Sequence, residues 1–185
     1  MKLVLGSKSP RRKQLLNELG YSFEIRTKDT DESFPSDLHY SMVPEYIARL
    51  KAEALLDELK EDELLITADT IVVLDDEVIG KPTSRENAIE LLNKLSGRTH
   101  QVISGIWVGT TSKHISKSVT TSVSFVALSQ EEIEHYIDTY QPFDKAGSYG
   151  IQDWIGLIGV KNIEGSYNNV VGLPTVETRE MIQQF

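Results

Sequence analysis

An aspartate, Asp69, stands inside Leu64-Leu-Ile-Thr-Ala-Asp-Thr-Ile-Val-Val-Leu74, the most apolar strand-like run of the chain. An unpaired buried carboxylate is costly, so Asp69 must meet a cation, a metal or solvent at a break in the strand. A perturbed acid in a cleft is the usual setting of a general base or metal ligand, which favours a chemical role over a capped bulge or strand end. A second unusual feature is Ser7-Lys-Ser-Pro-Arg-Arg-Lys13, four cations at a predicted helix start. Helix N-termini carry partial positive charge, so Lys8, Arg11, Arg12 and Lys13 oppose this helix unless an anion shares its free N–H groups and guanidinium forks. Lys51 lies on or beside the apolar stripe of Ile47 and Leu55; the ordinary account is a packed stem with a wet ammonium. Lys81, between Gly80 and Pro82, has an extended, directed backbone, and a solvated turn lysine explains it about as well. The acidic loop Asp29-Thr-Asp-Glu32 could offer oxygens to Mg²⁺ or Mn²⁺, although a solvated loop is the simpler reading. Asp144-Lys-Ala-Gly-Ser-Tyr-Gly-Ile-Gln152 pairs close-approach glycines with an amide that both donates and accepts, which suits a nucleobase edge or an exposed turn.

These groups need elements to hold them. Leu3 to Leu5 reads as a strand, with Ser9 as N-cap and Pro10 as first residue of a helix closed by Gly20. Phe23 to Ile25 reads as a second strand, and Pro44 opens a helix ending near Lys60 to Glu63. Leu64 to Leu74 turns at Asp75-Asp76 into Glu77 to Ile79, and Ser84 caps a helix running to about Leu95. His100 to Val108 and Val119 to Val126 should pair as strands. Ser129 and Glu132 form a capping box before a helix stopped by Pro142. Leu157 to Val160 and Val170-Val171 are short strand candidates, and Pro174 starts a final helix.

Composition narrows the classes. With 185 residues, 39% of them hydrophobic, the chain is expected to form one domain over 1–185, folded as two lobes at most. A net charge of −9 makes nucleic acid and anionic membrane surfaces poor partners. No cysteine excludes disulfides, thiolate metal sites and cysteine nucleophiles, and fits a reducing compartment, so a cytoplasmic protein is expected. No run approaches membrane-spanning length. The phosphate loop, dinucleotide fingerprint and serine elbow motifs are missing. His39, His100, His114 and His135 show no ligand spacing.

Together, Ser7-x-Ser-Pro-Arg-Arg12, Asp31-Glu32, Lys51-Ala52, Ala68-Asp-Thr70, Gly80-Lys-Pro82, Ser96-Gly97 with His100, Asp144-Lys-Ala-Gly147, Tyr149-Gly-Ile-Gln152 and Gly165-Ser-Tyr with Val171-Gly-Leu-Pro174 resemble the Maf family of nucleotide pyrophosphatases from end to end. The resemblance implies an α/β fold similar to inosine triphosphate pyrophosphatases, with an elongated mixed β-sheet flanked by helices and two lobes around a central cleft. It implies metal-dependent hydrolysis, with Mg²⁺ or Mn²⁺, of a nucleoside triphosphate to the monophosphate and pyrophosphate. Ala-Asp-Thr with Tyr-Gly-Ile-Gln is similar to the branch acting on dTTP and UTP, with modified pyrimidine nucleotides as further candidates. On that footing Asp69 matches the general base, and Glu32 and Asp69 the metal-facing acids. Arg11, Thr70 and Gln152 match specificity positions, and Ser7, Arg12, Lys51 and Lys81 the phosphate side. A homodimer is compatible with this. The alternative from another class is a regulator of septum formation that binds nucleotides without cleaving them.

Overall fold

The computed structural model describes residues 1–185. Seven strands hydrogen-bond in the order β2-β1-β3-β5-β6-β7, with β4 paired to β3, and seven α-helices accompany them. The strands are β1 (Lys2–Leu5), β2 (Phe23–Ile25), β3 (Glu63–Leu74), β4 (Glu77–Ile79), β5 (Thr99–Gly109), β6 (His114–Phe125) and β7 (Val160–Glu164). The helices are α1 (Pro10–Glu18), α2 (Val43–Glu53), α3 (Arg85–Leu95), α4 (Gln130–Tyr140), α5 (Trp154–Gly159), α6 (Tyr167–Val171) and α7 (Thr175–Ile182). This is the mixed α/β architecture expected, since β1 runs parallel to β2 and β3 whereas β3 to β4 and β6 to β7 are antiparallel. The chain divides into two compact units, one of Met1–Thr70, Ser104–Val119 and Gly172–Phe185, the other of Ile71–Ile103 and Thr120–Val171.

In the first unit, Val4 and Leu65 of adjacent strands pack with Ala48, Ala52, Leu55, Leu59 and Trp107. The small face of α2 lets that helix lie close to the sheet. Thr67 Oγ1 donates to Ala48 O at 2.6 Å, satisfying a hydroxyl that would otherwise be buried and costly. Arg26, just beyond β2, clamps Glu63 with two bonds of 2.8 and 3.0 Å, and this holds the Glu63 carboxyl down at about 2.

In the second unit, α3 and α4 bury Leu91, Leu92, Leu95, Ile133, Tyr136 and Ile137. The reciprocal Ser129–Glu132 capping box forms as expected. Asp75 and Asp76 take φ of 49° and 64° in the hairpin turn, a conformation Asp tolerates better than most residues. His100, Phe125 and Tyr149 form an edge-to-face cluster, with His100 Nε2 and Tyr149 Oη 2.7 Å apart. Burial lowers the His100 pKa to about 4.

Two sequence expectations are corrected. Leu157 to Val160 is not a strand: Trp154–Gly159 forms α5 and β7 begins at Val160. Glycine weakens helices, but at Gly156 a Cβ would collide with the Ile151 carbonyl, so close packing selects the residue that the propensity argument disfavours. Val170-Val171 ends helix α6, where Asn169 Nδ2 donates to Val102 O and Thr121 Oγ1, both at 3.0 Å. These tertiary bonds override the β preference of two valines. Two boundaries also move: α2 stops at Glu53, and β6 begins at His114, ahead of Val119.

Candidate active site

Strand β3 carries Asp69 into the first unit, where it is 9% exposed. The required cation is Lys51: its Nζ is 2.7 Å from Asp69 Oδ1 and 2.9 Å from Glu32 Oε1. The lysine is therefore not snorkelling into water. It sits between a buried acid and an acid in the Asp29–Glu32 loop, with its own side chain only 17% exposed. Helix α2 explains the reach, because its apolar side is fixed by Val43, Ile47, Ala48 and Ala52 and the intervening turn projects Lys51 toward β3.

Helix α1 begins as the sequence indicates. Ser9 accepts from Arg12 N at 3.4 Å, and Pro10 occupies the first turn. Its cations behave differently from one another. Lys8 pairs with Asp29 at 2.8 Å on the surface. Arg12 turns inward: Nε donates to Gly172 O (2.9 Å), Nη1 to Ala68 O (2.8 Å) and Ser7 Oγ (3.3 Å), and Nη2 to Thr70 Oγ1 (3.1 Å). Four of its five N–H donors thus face protein oxygens. Burial pushes this guanidinium's pKa down, Asp69 opposes that, Arg11 reinforces it, and Glu32 opposes it. Gly172 can present its carbonyl because it adopts φ of 127°, open to glycine and strained for other residues.

Thr70 belongs to the same network. Its Oγ1 lies 2.8 Å from Ser104 Oγ and 3.4 Å from Gly172 O. Ser7 is buried, and its Oγ also accepts from Ser9 N at 3.3 Å. Arg11 is half-buried near this group. Ser7, Arg11, Arg12, Glu32, Lys51, Asp69 and Thr70 therefore all belong to the first unit. Lys81 and Gln152 belong to the second, both exposed. There Gly147 N donates to Gly80 O at 3.0 Å, so the lysine's turn adjoins the glycine loop preceding Gln152.

Sequence reasoning missed Ser104 and Gly172. Ser104 had a signal, since a hydroxyl inside Val102-Ile-Ser-Gly-Ile106 resembles the anomaly at Asp69. The Gly172 carbonyl had none. No group of three His, Asp or Glu side chains gathers in the structure; Glu32 and Asp69 both face the Lys51 ammonium, and these two carboxylates are the ones that could offer oxygens to a cation there. Such a pair suits a hard cation which draws its remaining oxygens from water and phosphate.

Among relatives, the chain is 53% identical over 173 residues to a dTTP/UTP pyrophosphatase of Bacteroides thetaiotaomicron, covering 93% of this chain and 90% of that one. It is 50% identical over 185 residues to a dTTP/UTP pyrophosphatase of Parabacteroides distasonis, covering 100% and 96%. A solved nucleoside-triphosphatase / dITP/XTP pyrophosphatase of Mycobacterium abscessus shares 15% identity over 68% of this chain and 74% of that one, with a TM-score of 0.45, too shallow a likeness to argue from. The model of the Maf-like protein family matches residues 2–185, and with these identities it establishes that the chain belongs to the Maf family.

Proposed function

We propose that this chain hydrolyses dTTP and UTP, releasing the nucleoside monophosphate and pyrophosphate. The observation that supports it most is Lys51 held within 2.9 Å of both Asp69 and Glu32, an acid pair and an ammonium fixed in one place beside a basic helix start. The names of the Bacteroides thetaiotaomicron and Parabacteroides distasonis relatives supply the substrate class.

The chain's own groups divide the work. Asp69 has Oδ1 committed to Lys51, leaving Oδ2 to take the proton of a water attacking the α-phosphorus in line. The bond from the α-phosphorus to the bridging oxygen breaks, and pyrophosphate leaves with that electron pair. Lys51 and Arg11 stabilise the charge that develops, and Lys81 adds a further cation from its turn. The start of α1, with Ser7 before it, offers N–H and hydroxyl donors to phosphate oxygens. Arg12 acts mainly as a brace: its fork fixes Ala68 and Thr70 on either side of Asp69. Thr70, engaged with Ser104 and Arg12, shapes the floor, and Gln152 reads the pyrimidine edge. Glu32 and Asp69 would hold a divalent cation such as Mg²⁺ or Mn²⁺, which when bound supplies Lewis acidity at the phosphates.

The test is incubation with dTTP or UTP and Mn²⁺, measuring pyrophosphate and orthophosphate separately. Pyrophosphate as first product is expected. Orthophosphate first would contradict attack at the α-position, and stable binding without product would favour the regulator.

A further inference from the structure

We propose that Tyr136 is a positioning residue for nucleobase selection, because its single hydroxyl grips both ends of the turn that presents Gln152. This rests on Gln152 reading the base. The turn runs from Gly150 to Asp153 and is closed by Asp153 N donating to Gly150 O at 3.0 Å. Within it Gly150 and Ile151 are buried, Asp153 is half-buried and only Gln152 is exposed. Tyr136, fully buried on α4, accepts from Gly150 N at 3.0 Å and donates to Asp153 Oδ2 at 2.7 Å.

A phenol has one proton to give and lone pairs to receive, so the two bonds use opposite capacities of one atom and fix its orientation. They also fix the two residues flanking Ile151 and Gln152. Gly150 leaves no slack, since a Cβ there would lie 2.5 Å from Asp153 Oδ2 and 3.0 Å from Lys145 Cε. Lys145 Nζ stands 3.8 Å from the same carboxylate oxygen and adds positive charge beside it. Burial raises the Tyr136 pKa, with the bond to Asp153 adding to it, so the hydroxyl stays a donor at neutral pH. A tyrosine serving the core alone would need one partner for its hydroxyl. Here both partners belong to one four-residue turn.

Tyr136→Phe keeps the ring and deletes both bonds. We expect the dTTP-to-CTP ratio of kcat/KM to fall about tenfold, mostly through a raised KM for dTTP, since small misplacement of a reading group is costly. Asp153→Ala should lower the ratio similarly, and Asp153→Asn, which keeps an acceptor oxygen, should restore it. A uniform loss across nucleotides with an unchanged ratio would overturn the proposal. Should Tyr136→Phe fail to fold, equal ratios in Asp153→Ala and Asp153→Asn would overturn it instead. Gln152→Ala separates the layers. If it leaves the ratio intact, base reading fails and the clamp with it; if it collapses the ratio and Tyr136→Phe does not, only the clamp fails.

Discussion

Acidification should expose the buried imidazole of His100. This side chain is 2% exposed, its Nδ1 has no hydrogen-bond partner, and burial lowers its pKa from 6.5 to about 4. A folded-state pKa below the unfolded one means that the unfolded chain binds the proton more readily. The stabilisation is therefore complete above pH 6.5 and is lost as pH falls toward 4. Linkage between those two values gives about 2 kcal/mol lost between pH 7.5 and pH 5, approaching about 3 kcal/mol at still lower pH. For a chain of this size, about 2 kcal/mol corresponds to a Tm drop of roughly 4–8 °C. The assay is thermal unfolding by circular dichroism at both pH values, for the wild type and His100→Gln. Gln keeps a partner for Tyr149 but does not titrate, so its loss over the same interval reports every other group, and the difference isolates His100. Equal losses in the two proteins would refute a buried neutral imidazole.

Other outcomes are expected. Asp69→Asn should abolish pyrophosphate release while leaving the circular dichroism spectrum intact; substantial residual turnover would remove Asp69 from the base role. Arg12→Lys keeps the charge but cannot reach four oxygens at once, so a loss of about 1.5–3 kcal/mol in urea unfolding is expected. Unchanged stability would make Arg12 a phosphate ligand alone. Ser148→Gly should raise stability by about 1 kcal/mol, because Ser148 holds φ of 60° and buries an Oγ without a partner. A lower Tm would show that this hydroxyl is satisfied in solution.

Local signals in the sequence were read correctly where the chemistry is local. Ser9 and Pro10 start α1, and Ser129 with Glu132 starts α4, because caps act within one helical turn. Asp69 was legible as an ion needing a partner, since desolvation is indifferent to fold. Its partner was not. Spacing alone favours a wet ammonium for Lys51 on α2, and only the seating of that helix against the strand reveals the pair. The inward turn of Arg12 has no local signal, because two of its four acceptors are backbone carbonyls, which every residue possesses, and three of the four are distant in sequence. The strand expected at Leu157 to Val160 fails because the glycine at 156 is required by the close approach of the Ile151 carbonyl, a constraint that no helix propensity registers.

Arg12 and Gly172, bonded to each other, are 160 positions apart in the chain. At ~5–20 residues per second, synthesis separates them by about 8 to 32 s. Until the later partner emerges, the brace around Asp69 lacks one of its ends. A nascent fragment would already hold the acid, the ammonium and the basic helix, yet it would not have its working geometry. Catalysis would then begin only after Gly172 has emerged and folded back onto Arg12.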